Sequence, residues 1–189
     1  MSEPAVVTSS STFTIARPEP GEYAPYYERY VSLVSGTDIL GTLEAERRKT
    51  LLLLSGRDEA DGDFRYAPDK WSIRQVLNHL SDCERLFTFR AFWFARGFDS
   101  PLPSFDQHIA VAGAQADSLS WDEHVQEFHR VRLATLSFFR NLPEDAWARR
   151  GIASDNPFTV RALAYVAAGH VVHHVKILRE RYLEGNSNY

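Results

Sequence analysis

Two histidines stand four residues apart near the end of the chain, at His170 and His174. On an α-helix this spacing puts two side chains about 40° apart around the axis and about 6 Å apart along it. Two imidazoles in this arrangement can bind the same metal ion. Such a pair alone is more often structural or surface-exposed than metal-bound, so a metal site requires a further ligand elsewhere in the chain.

The residues around this pair are apolar or small. The segment reads AAGHVVHHVKIL, and Leu163, Val166 and Ile177 continue the same face, so the two histidines should point into a protein core. An imidazole in an apolar core is costly unless its nitrogens have partners, and a metal ion satisfies one nitrogen of each ligand. Gly169 within a helix costs about 1 kcal/mol relative to alanine, which indicates a packing or functional reason for it.

A third histidine can complete the site. His79 lies in KWSIRQVLNHLSDCERL, one turn after Val76 and at the edge of an apolar stripe. Alone it would be interpreted as a satisfied core or boundary residue. With the pair it becomes the natural third ligand, and three protein ligands leave one coordination position open for water or substrate. We therefore predict one divalent transition-metal ion at His79, His170 and His174. Zinc or nickel suits imidazole ligands better than magnesium does, with iron and manganese as alternatives.

Three further groups follow His79 on the same predicted helix. Cys83 is a candidate fourth ligand or redox-sensitive thiol, although a small buried hydrophobic role is favoured. Asp82, and less favourably Glu84, could accept the second N–H of a ligand imidazole or act as a general base. An ion pair with Arg85, Arg90 or Arg161 is the competing explanation for both carboxylates.

The other histidines carry weaker signals. His173 points about 100° away from its neighbour on a helix, so one ion should not bind both residues, and it could contact the pocket edge or have no role. Asp106, in the SFDQ segment, could reach the pocket from a long connection. No role in the site is predicted for the three histidines that lack a partner pattern, which are His108, His124 and His129.

The apolar pattern predicts four helices to position these residues. Each begins at a capping or turn signal and continues with helical spacing. The first predicted helix covers residues 26–54 in two segments, and the second covers about 72–96 with an N-cap at Ser72. The third covers about 120–142 and begins with a capping box formed by Ser120 and Glu123. The fourth covers 159–183, with Thr159 as its cap.

The segments between these helices are connections, and the one over 98–118 is long enough to carry short helical turns. Residues 1–20 are rich in serine, threonine and proline, which indicates a flexible arm or one laid over the surface. No stretch alternates convincingly with a period of two. We therefore predict an all-α protein, in which residues 21–189 form a single four-helix bundle domain.

Composition restricts the partners. The net charge is -4, and the 21 basic residues are interleaved with 25 acidic ones, which argues against nucleic-acid binding. The longest aliphatic run covers only residues 51–54, so we predict no membrane span. The single cysteine excludes an intramolecular disulfide, and the N-terminal residues lack a secretory signal pattern. A cytoplasmic protein is expected.

The second half of the second predicted helix carries more aromatic residues than one helix face can bury. Some of them should shape the pocket or contact another subunit, so a homodimer is expected. Burial in the core is the favoured role for Phe87 and Phe94. The crowded aromatics are Phe87, Phe89, Phe92, Trp93 and Phe94.

Three segments together resemble the DinB-like superfamily over most of residues 66–183: KWSIRQVLNHLSDCERLFTFRAFWFARG, LPSFDQ and TVRALAYVAAGHVVHHVKILRERYL. The resemblance implies an up-down-down-up four-helix bundle with a metal held by one histidine of the second helix and two histidines of the last. These match His79, His170 and His174. It further implies metal-dependent hydrolysis, or S-transfer or isomerisation with bacillithiol, mycothiol or glutathione as the thiol cosubstrate.

Two hypotheses follow from these residues. In the first, the chain is a metal-dependent enzyme, a hydrolase or a low-molecular-weight-thiol S-transferase that acts on a small molecule at an open coordination position. In the second, the bundle is not catalytic and its metal is structural or sensory. A structural site should be closed by a fourth protein ligand such as Cys83.

Overall fold

The protein is described by a computed structural model that covers residues 14–183. This part of the chain forms seven α-helices, a two-stranded sheet and short 3-10 turns. The helices are α1 (Glu28–Val31), α2 (Ile39–Leu54), α3 (Glu59–Asp63), α4 (Ile73–Ala95), α5 (Gln107–Ala114), α6 (Trp121–Arg140) and α7 (Val160–Ile177), which continues as a π-helical segment (Leu178–Leu183). The strands are β1 (Arg150–Ala153) and β2 (Asn156–Thr159).

The four longest helices, α2, α4, α6 and α7, form a bundle. α4 packs against α6 and α7, and α2 packs against the same two helices. Buried apolar residues from all four helices form two core clusters. The predicted all-α four-helix bundle is confirmed, and the first predicted helix is divided into α1 and α2 as expected.

Contacts between helices fix their directions. Residue numbers rise together along α4 and α6 but run in opposite senses along α4 and α7. The contacts are Thr88 with Thr135 and Phe92 with Phe138 in the first pair, and His79 with His174 and Phe87 with His170 in the second. α4 and α6 are therefore parallel, and the long connection over residues 96–120 returns the chain to the end of the bundle at which α4 began.

Side-chain caps set the helix starts where the sequence predicts them. Ser72 accepts a hydrogen bond from the backbone of Gln75 at the start of α4. Ser120 and Glu123 form the same reciprocal capping box at the start of α6. Because each box satisfies backbone N–H groups that the helix itself leaves free, these two boundaries are encoded locally.

The sheet corrects the sequence prediction, which contains no strand. β1 and β2 form an antiparallel hairpin whose turn residues, Ser154 and Asp155, have φ angles of 51° and 60°. Two left-handed residues are typical of a tight hairpin turn. The strands have only four residues each, and Pro157 lies inside β2, so no alternating pattern could develop.

The hairpin holds the long connection in place. The backbone N–H of Leu102 donates to the carbonyl of Ile152 at 2.9 Å, and the N–H of Ser154 donates to the carbonyl of Leu102 at 3.0 Å. The predicted short helical turns in this connection are present as α5 and the 3-10 turn Ala116–Ser118. The connection is therefore an ordered wall beside α4.

Residues 1–13 of the predicted N-terminal arm lie outside the described residues. From Thr14 onward the chain lies against the bundle, where the Arg17 guanidinium donates to the carbonyl of Val31 at 2.6 Å and also to that of Val34. The domain boundary at residue 21 stays a prediction. Between residues 14 and 183, no helix combines the length and the apolar character that crossing a bilayer requires.

A glycine allows α1 to approach α7 closely. A Cβ atom added at Gly169 would lie 2.0 Å from the carbonyl oxygen of Tyr30. Since this neighbour is backbone rather than a flexible side chain, it could not move aside easily. The packing reason that the sequence indicates for this glycine is therefore contact with α1.

We expect Gly169→Ala to lower the free energy of unfolding by roughly 1–3 kcal/mol, because the added methyl group pushes α1 off the bundle. Urea denaturation followed by circular dichroism measures this change. Gly113→Ala is the matched control, since a Cβ atom at this position in α5 meets open space. Equal stability of the two variants would contradict the close packing.

Candidate metal centre

The structure brings the three predicted histidines together. α4 contributes His79, and α7 contributes His170 and His174 from consecutive turns. One ligand nitrogen from each lies within 4.8 Å of the others. The Nε2 atoms of His79 and His170 are 3.2 Å apart. The antiparallel packing of α4 on α7 thus converts a separation of 91 residues along the chain into a compact cluster.

The spacing of His79 and His170 matches that of two ligands in a tetrahedral transition-metal site. Nitrogen ligands bind zinc at about 2.0–2.1 Å, which places two tetrahedral ligands about 3.3 Å apart. The 3.2 Å between the Nε2 atoms of His79 and His170 agrees with this spacing. Three imidazoles without an oxygen ligand favour zinc, nickel or a similar ion over magnesium or calcium.

Burial keeps the three imidazoles neutral. His79 and His170 are almost fully buried, and His174 is partly buried. Burial, with a smaller contribution from the charge of His108, lowers the pKa of His79 to about 4. Burial also lowers the pKa of His174 to about 3 and that of His170 well below its usual value. At neutral pH each ring therefore has a lone pair available for a metal ion.

Aromatic rings surround the cluster and restrict its side chains. The rings of Tyr30 and Phe87 contact His170 edge-on, with centroid distances of 5.2 and 5.6 Å. Trp71 lies 4.9 Å from His79 between ring centroids. These apolar contacts fix the ring positions and exclude water from most of the cluster.

Cys83 lies beside the cluster without joining it. Its Sγ atom is 3.6 Å from Nδ1 of His79, and its side chain is buried. Burial raises the pKa of the Cys83 thiol to about 12, so without a metal ion the thiol is neutral at physiological pH. Among the described residues, the group of potential ligands consists of the three histidines. No fourth protein ligand closes the cluster in that part of the chain.

The two carboxylates next to Cys83 have other partners. Asp82 accepts hydrogen bonds from Asn78 at 2.9 Å and from Arg85 at 3.3 Å. Glu84 is buried and accepts a hydrogen bond from Arg132 at 2.9 Å. For Asp82 the structure thus shows the competing ion pair with Arg85 and no hydrogen bond to a clustered imidazole within residues 14–183. The roles suggested for the two carboxylates, in orienting a ligand imidazole or as a general base, stay predictions.

A cavity of about 530 Å³ adjoins the cluster. His79 and His170 form part of its wall, whereas His174 borders a second, smaller cavity of about 250 Å³. The remaining walls come from α4, from the tyrosines around α1, from the long connection and from the hairpin. The larger cavity has the size of ordinary small-molecule sites.

Sequence reasoning missed His108 as a cavity residue. It is exposed at the start of α5, lines the main cavity and has its ring centroid 6.0 Å from that of Trp71. Asp106, which the sequence places within reach of the pocket, caps α5 by accepting from the backbone N–H of His108 and lines the same cavity. The sequence signal for both residues is Asp106 itself, an N-cap residue that can start a helix inside the long connection.

The other three histidines lie outside the cluster. The ring of His173 contacts Tyr30 at 5.4 Å between centroids, at the edge of the site. His124 is buried, with Nε2 at 2.7 Å from the carbonyl oxygen of Ala116. His129 lies beside Arg47 at 3.0 Å. The prediction that His124 and His129 do not take part agrees with these positions.

Comparisons with known proteins identify the family. The model of the DinB superfamily matches residues 42–178, which include all three clustered histidines. The chain therefore belongs to the DinB superfamily, and the resemblance seen in the sequence is confirmed. No curated protein matches the chain.

Two solved structures share the fold. The first is YfiT from Bacillus subtilis, which is described as a probable metal-dependent hydrolase with an unusual four-helix bundle topology. Its sequence is 13% identical to this chain, and the superposition has a TM-score of 0.58 and covers 87% of this chain and 92% of YfiT. A mycothiol-dependent maleylpyruvate isomerase is 17% identical with a TM-score of 0.61, covering 73% of this chain and 58% of the isomerase. The predicted DinB-like up-down-down-up bundle is thus confirmed, with α4 and α6 as its two parallel middle helices.

We expect His174→Ala to weaken zinc or nickel binding at least about 100-fold, because a ligand is lost from the set of three. Plasma mass spectrometry on untagged, metal-loaded and desalted protein measures the metal content. His173→Ala is the matched control, since it removes a neighbouring imidazole that faces Tyr30. Retention of stoichiometric metal by His174→Ala would contradict the assignment.

The metal-free protein should lose stability on acidification. An unfolded histidine takes up a proton near pH 6.5, whereas folded His79 stays neutral down to about pH 4. The unfolded state therefore binds more protons between these values, and the free energy of unfolding falls as the pH falls, by on the order of 3 kcal/mol for His79 alone. Above pH 6.5 this contribution is constant.

Denaturation of chelator-treated protein at a series of pH values tests this dependence. His79→Gln should show a shallower decline than the wild type, because glutamine does not titrate. Identical slopes for the two proteins would show that His79 is not held neutral by burial.

Proposed function

We propose that this DinB-superfamily chain is a metal-dependent enzyme, a hydrolase or a low-molecular-weight-thiol S-transferase, that acts on a small molecule. The observation that carries the proposal is the position of the histidine cluster in the wall of the 530 Å³ cavity, where the described residues supply no fourth ligand. A structural metal site is usually closed by four protein ligands. A cluster of three histidines beside a cavity therefore favours catalysis over the structural or sensory alternative.

His79, His170 and His174 would hold one divalent ion, with zinc or nickel preferred because all three ligands are imidazoles. When bound, such an ion supplies Lewis acidity that lowers the pKa of a coordinated water or thiol. The two proposed reaction types differ in which of these nucleophiles attacks the substrate.

The side chains around the cluster have separate tasks. Trp71, Tyr30 and Phe87 hold the imidazoles and keep water away from their rings. Exposed His108 stands at the cavity rim, where an imidazole can accept or deliver a proton to the occupant. It replaces Asp82 as the proposed acid–base group because Asp82 is engaged with Arg85.

The fold relatives support both reaction types. YfiT is described as a probable metal-dependent hydrolase, and the isomerase is described as mycothiol-dependent. For this chain we propose water, or a thiol cosubstrate such as bacillithiol, mycothiol or glutathione, as the nucleophile. Cys83 does not take this role, because its buried thiol is neutral at physiological pH.

We expect the metal-loaded protein to hydrolyse activated esters or to transfer a low-molecular-weight thiol, and chelation to abolish the activity reversibly. A panel of chromogenic esters and thiol acceptors, each measured with and without added thiol, distinguishes the two reactions. His170→Ala should lower kcat/KM by at least about 1000-fold, whereas Asp82→Asn should keep most of it. Full activity without metal would exclude this mechanism, and stabilisation by metal without turnover would favour a structural ion.

Two sequence expectations remain proposals, a cytoplasmic location and a homodimer. Phe87 and Phe94 are buried as predicted, but Phe89, Phe92 and Phe98 are 48%, 38% and 47% exposed. Clustered exposed aromatics are common at subunit contacts. Light scattering coupled to gel filtration measures the oligomeric state.

A further inference from the structure

One buried cation in the cavity wall lacks an anionic partner. Arg90 lies on α4, is 1% exposed and lines the same cavity as His79. Arg90 follows His79 by eleven positions, close to three helical turns, so both side chains leave the same face of α4, about 16 Å apart along its axis. Cys83 and Leu86 line the cavity from the same helix. The cavity therefore extends along α4 from the histidine cluster to Arg90.

All hydrogen-bond partners of Arg90 are neutral. Its Nη2 atom donates to the carbonyl of Pro103 at 2.9 Å and to Oγ of Ser154 at 3.0 Å. Its Nε atom is buried without a partner, and no carboxylate within residues 14–183 forms an ion pair with it. Arginine keeps its charge at every physiological pH, so the fold buries a positive charge without compensating it.

The two other buried arginines show how this chain treats such charges elsewhere. Arg74 forms an ion pair with Glu59 at 2.8 Å. Arg132 donates to Glu84 at 2.9 Å. Since a buried charge without a partner is strongly unfavourable, each of these arginines has its carboxylate. Arg90 is the exception among the buried arginines of the described residues, and it is also the one that lines the main cavity.

The neutral contacts hold the Arg90 side chain in position. Ser154 occupies the hairpin turn, and Pro103 follows Leu102, whose backbone bonds tie the long connection to that hairpin. Two separate chain segments therefore orient one guanidinium group. Hydrogen bonds to a carbonyl and a hydroxyl would not by themselves require a charged donor. These hydrogen bonds alone therefore do not account for the charge at this position.

We propose that Arg90 binds a carboxylate group of the small molecule that occupies the cavity, with the reacting end of that molecule facing His79 and His170. This proposal rests on the proposed function, because it assumes that the occupant is a substrate or cosubstrate. A single guanidinium group matches a planar, singly charged carboxylate. A phosphate dianion fits less well, since no other arginine or lysine of the described residues lines the cavity and Asp106 adds negative charge at its rim.

The cavity walls indicate the rest of the ligand. Tyr26, Tyr27, Tyr30, Phe87 and Phe105 line the space around Arg90 and the cluster. Aromatic walls stabilise flat or apolar groups through contact and stacking. An organic carboxylate with an unsaturated or aromatic body therefore fits better than a small polar anion.

Calorimetric titration with benzoate and benzamide, a matched pair that differs in charge, tests the proposal on full-length protein as purified and after chelation. The chelated sample removes direct binding of benzoate to metal. We expect wild-type protein to bind benzoate at least about tenfold more tightly than benzamide in both samples. Arg90→Met should lose this preference. Arg85→Met, which changes an exposed arginine of the same helix, should retain it.

Circular dichroism confirms that each variant folds. If Arg90→Met does not fold, Arg90→Lys is measured instead. Lysine keeps the positive charge but lacks the planar guanidinium group, so this variant should reduce the preference for benzoate several-fold without abolishing it. An unchanged preference in a folded Arg90 variant overturns the proposal, and so does a wild-type protein that prefers the carboxylate neither in this pair nor in the thiol pair described next.

A second matched pair identifies which molecule carries the carboxylate. 3-Mercaptopropionate and 3-mercaptopropionamide repeat the comparison with a thiol at the other end. A preference confined to this pair assigns the carboxylate to a thiol cosubstrate, and one confined to benzoate assigns it to the substrate. Metal content measured on the same samples separates the two hypotheses. Carboxylate preference without metal binding rejects the proposed function alone, and metal binding without the preference rejects the role of Arg90 alone.

Discussion

The antiparallel packing of α4 on α7 is the constraint on which the site depends. It sets His79 opposite two turns of α7, so that ligands separated by 91 residues meet within one side-chain layer. Gly169 contributes from the other side, because its missing Cβ lets the backbone of Tyr30 approach α7. That approach places the Tyr30 ring against His170. One glycine therefore links helix packing to the orientation of a proposed metal ligand.

This arrangement has an energetic cost that a metal ion would offset. Three neutral imidazoles replace apolar side chains at the centre of the bundle, and burial opposes their protonation. An ion that binds only the folded chain stabilises it in proportion to the logarithm of its concentration over Kd. Arg90 shows the same pattern at the other end of the cavity, where a buried charge lacks its counter-ion. Both features lower stability at places where a ligand can restore it.

Local sequence signals predicted the bundle and most of the histidine cluster. The capping boxes at Ser72 and Ser120, the spacing of the α7 histidines and the glycine beside them depend on residues within one or two turns. Features set by distant segments were missed. The hairpin lacks an alternating pattern, and His108 reaches the cavity because α5 packs against α4.

The bundle helices and the segments outside the bundle contribute different parts of the cavity. The two bundle helices α4 and α7 fix the histidines, and a shift of either would separate the ligands. The tyrosines before and within α1, the residues of the long connection and Ser154 of the hairpin complete the walls without contributing a ligand. Such segments can change while the helix packing stays intact. A bundle of this kind can therefore keep one metal site and accept different substrates, and the residues that orient Arg90 belong to the segments that are free to vary.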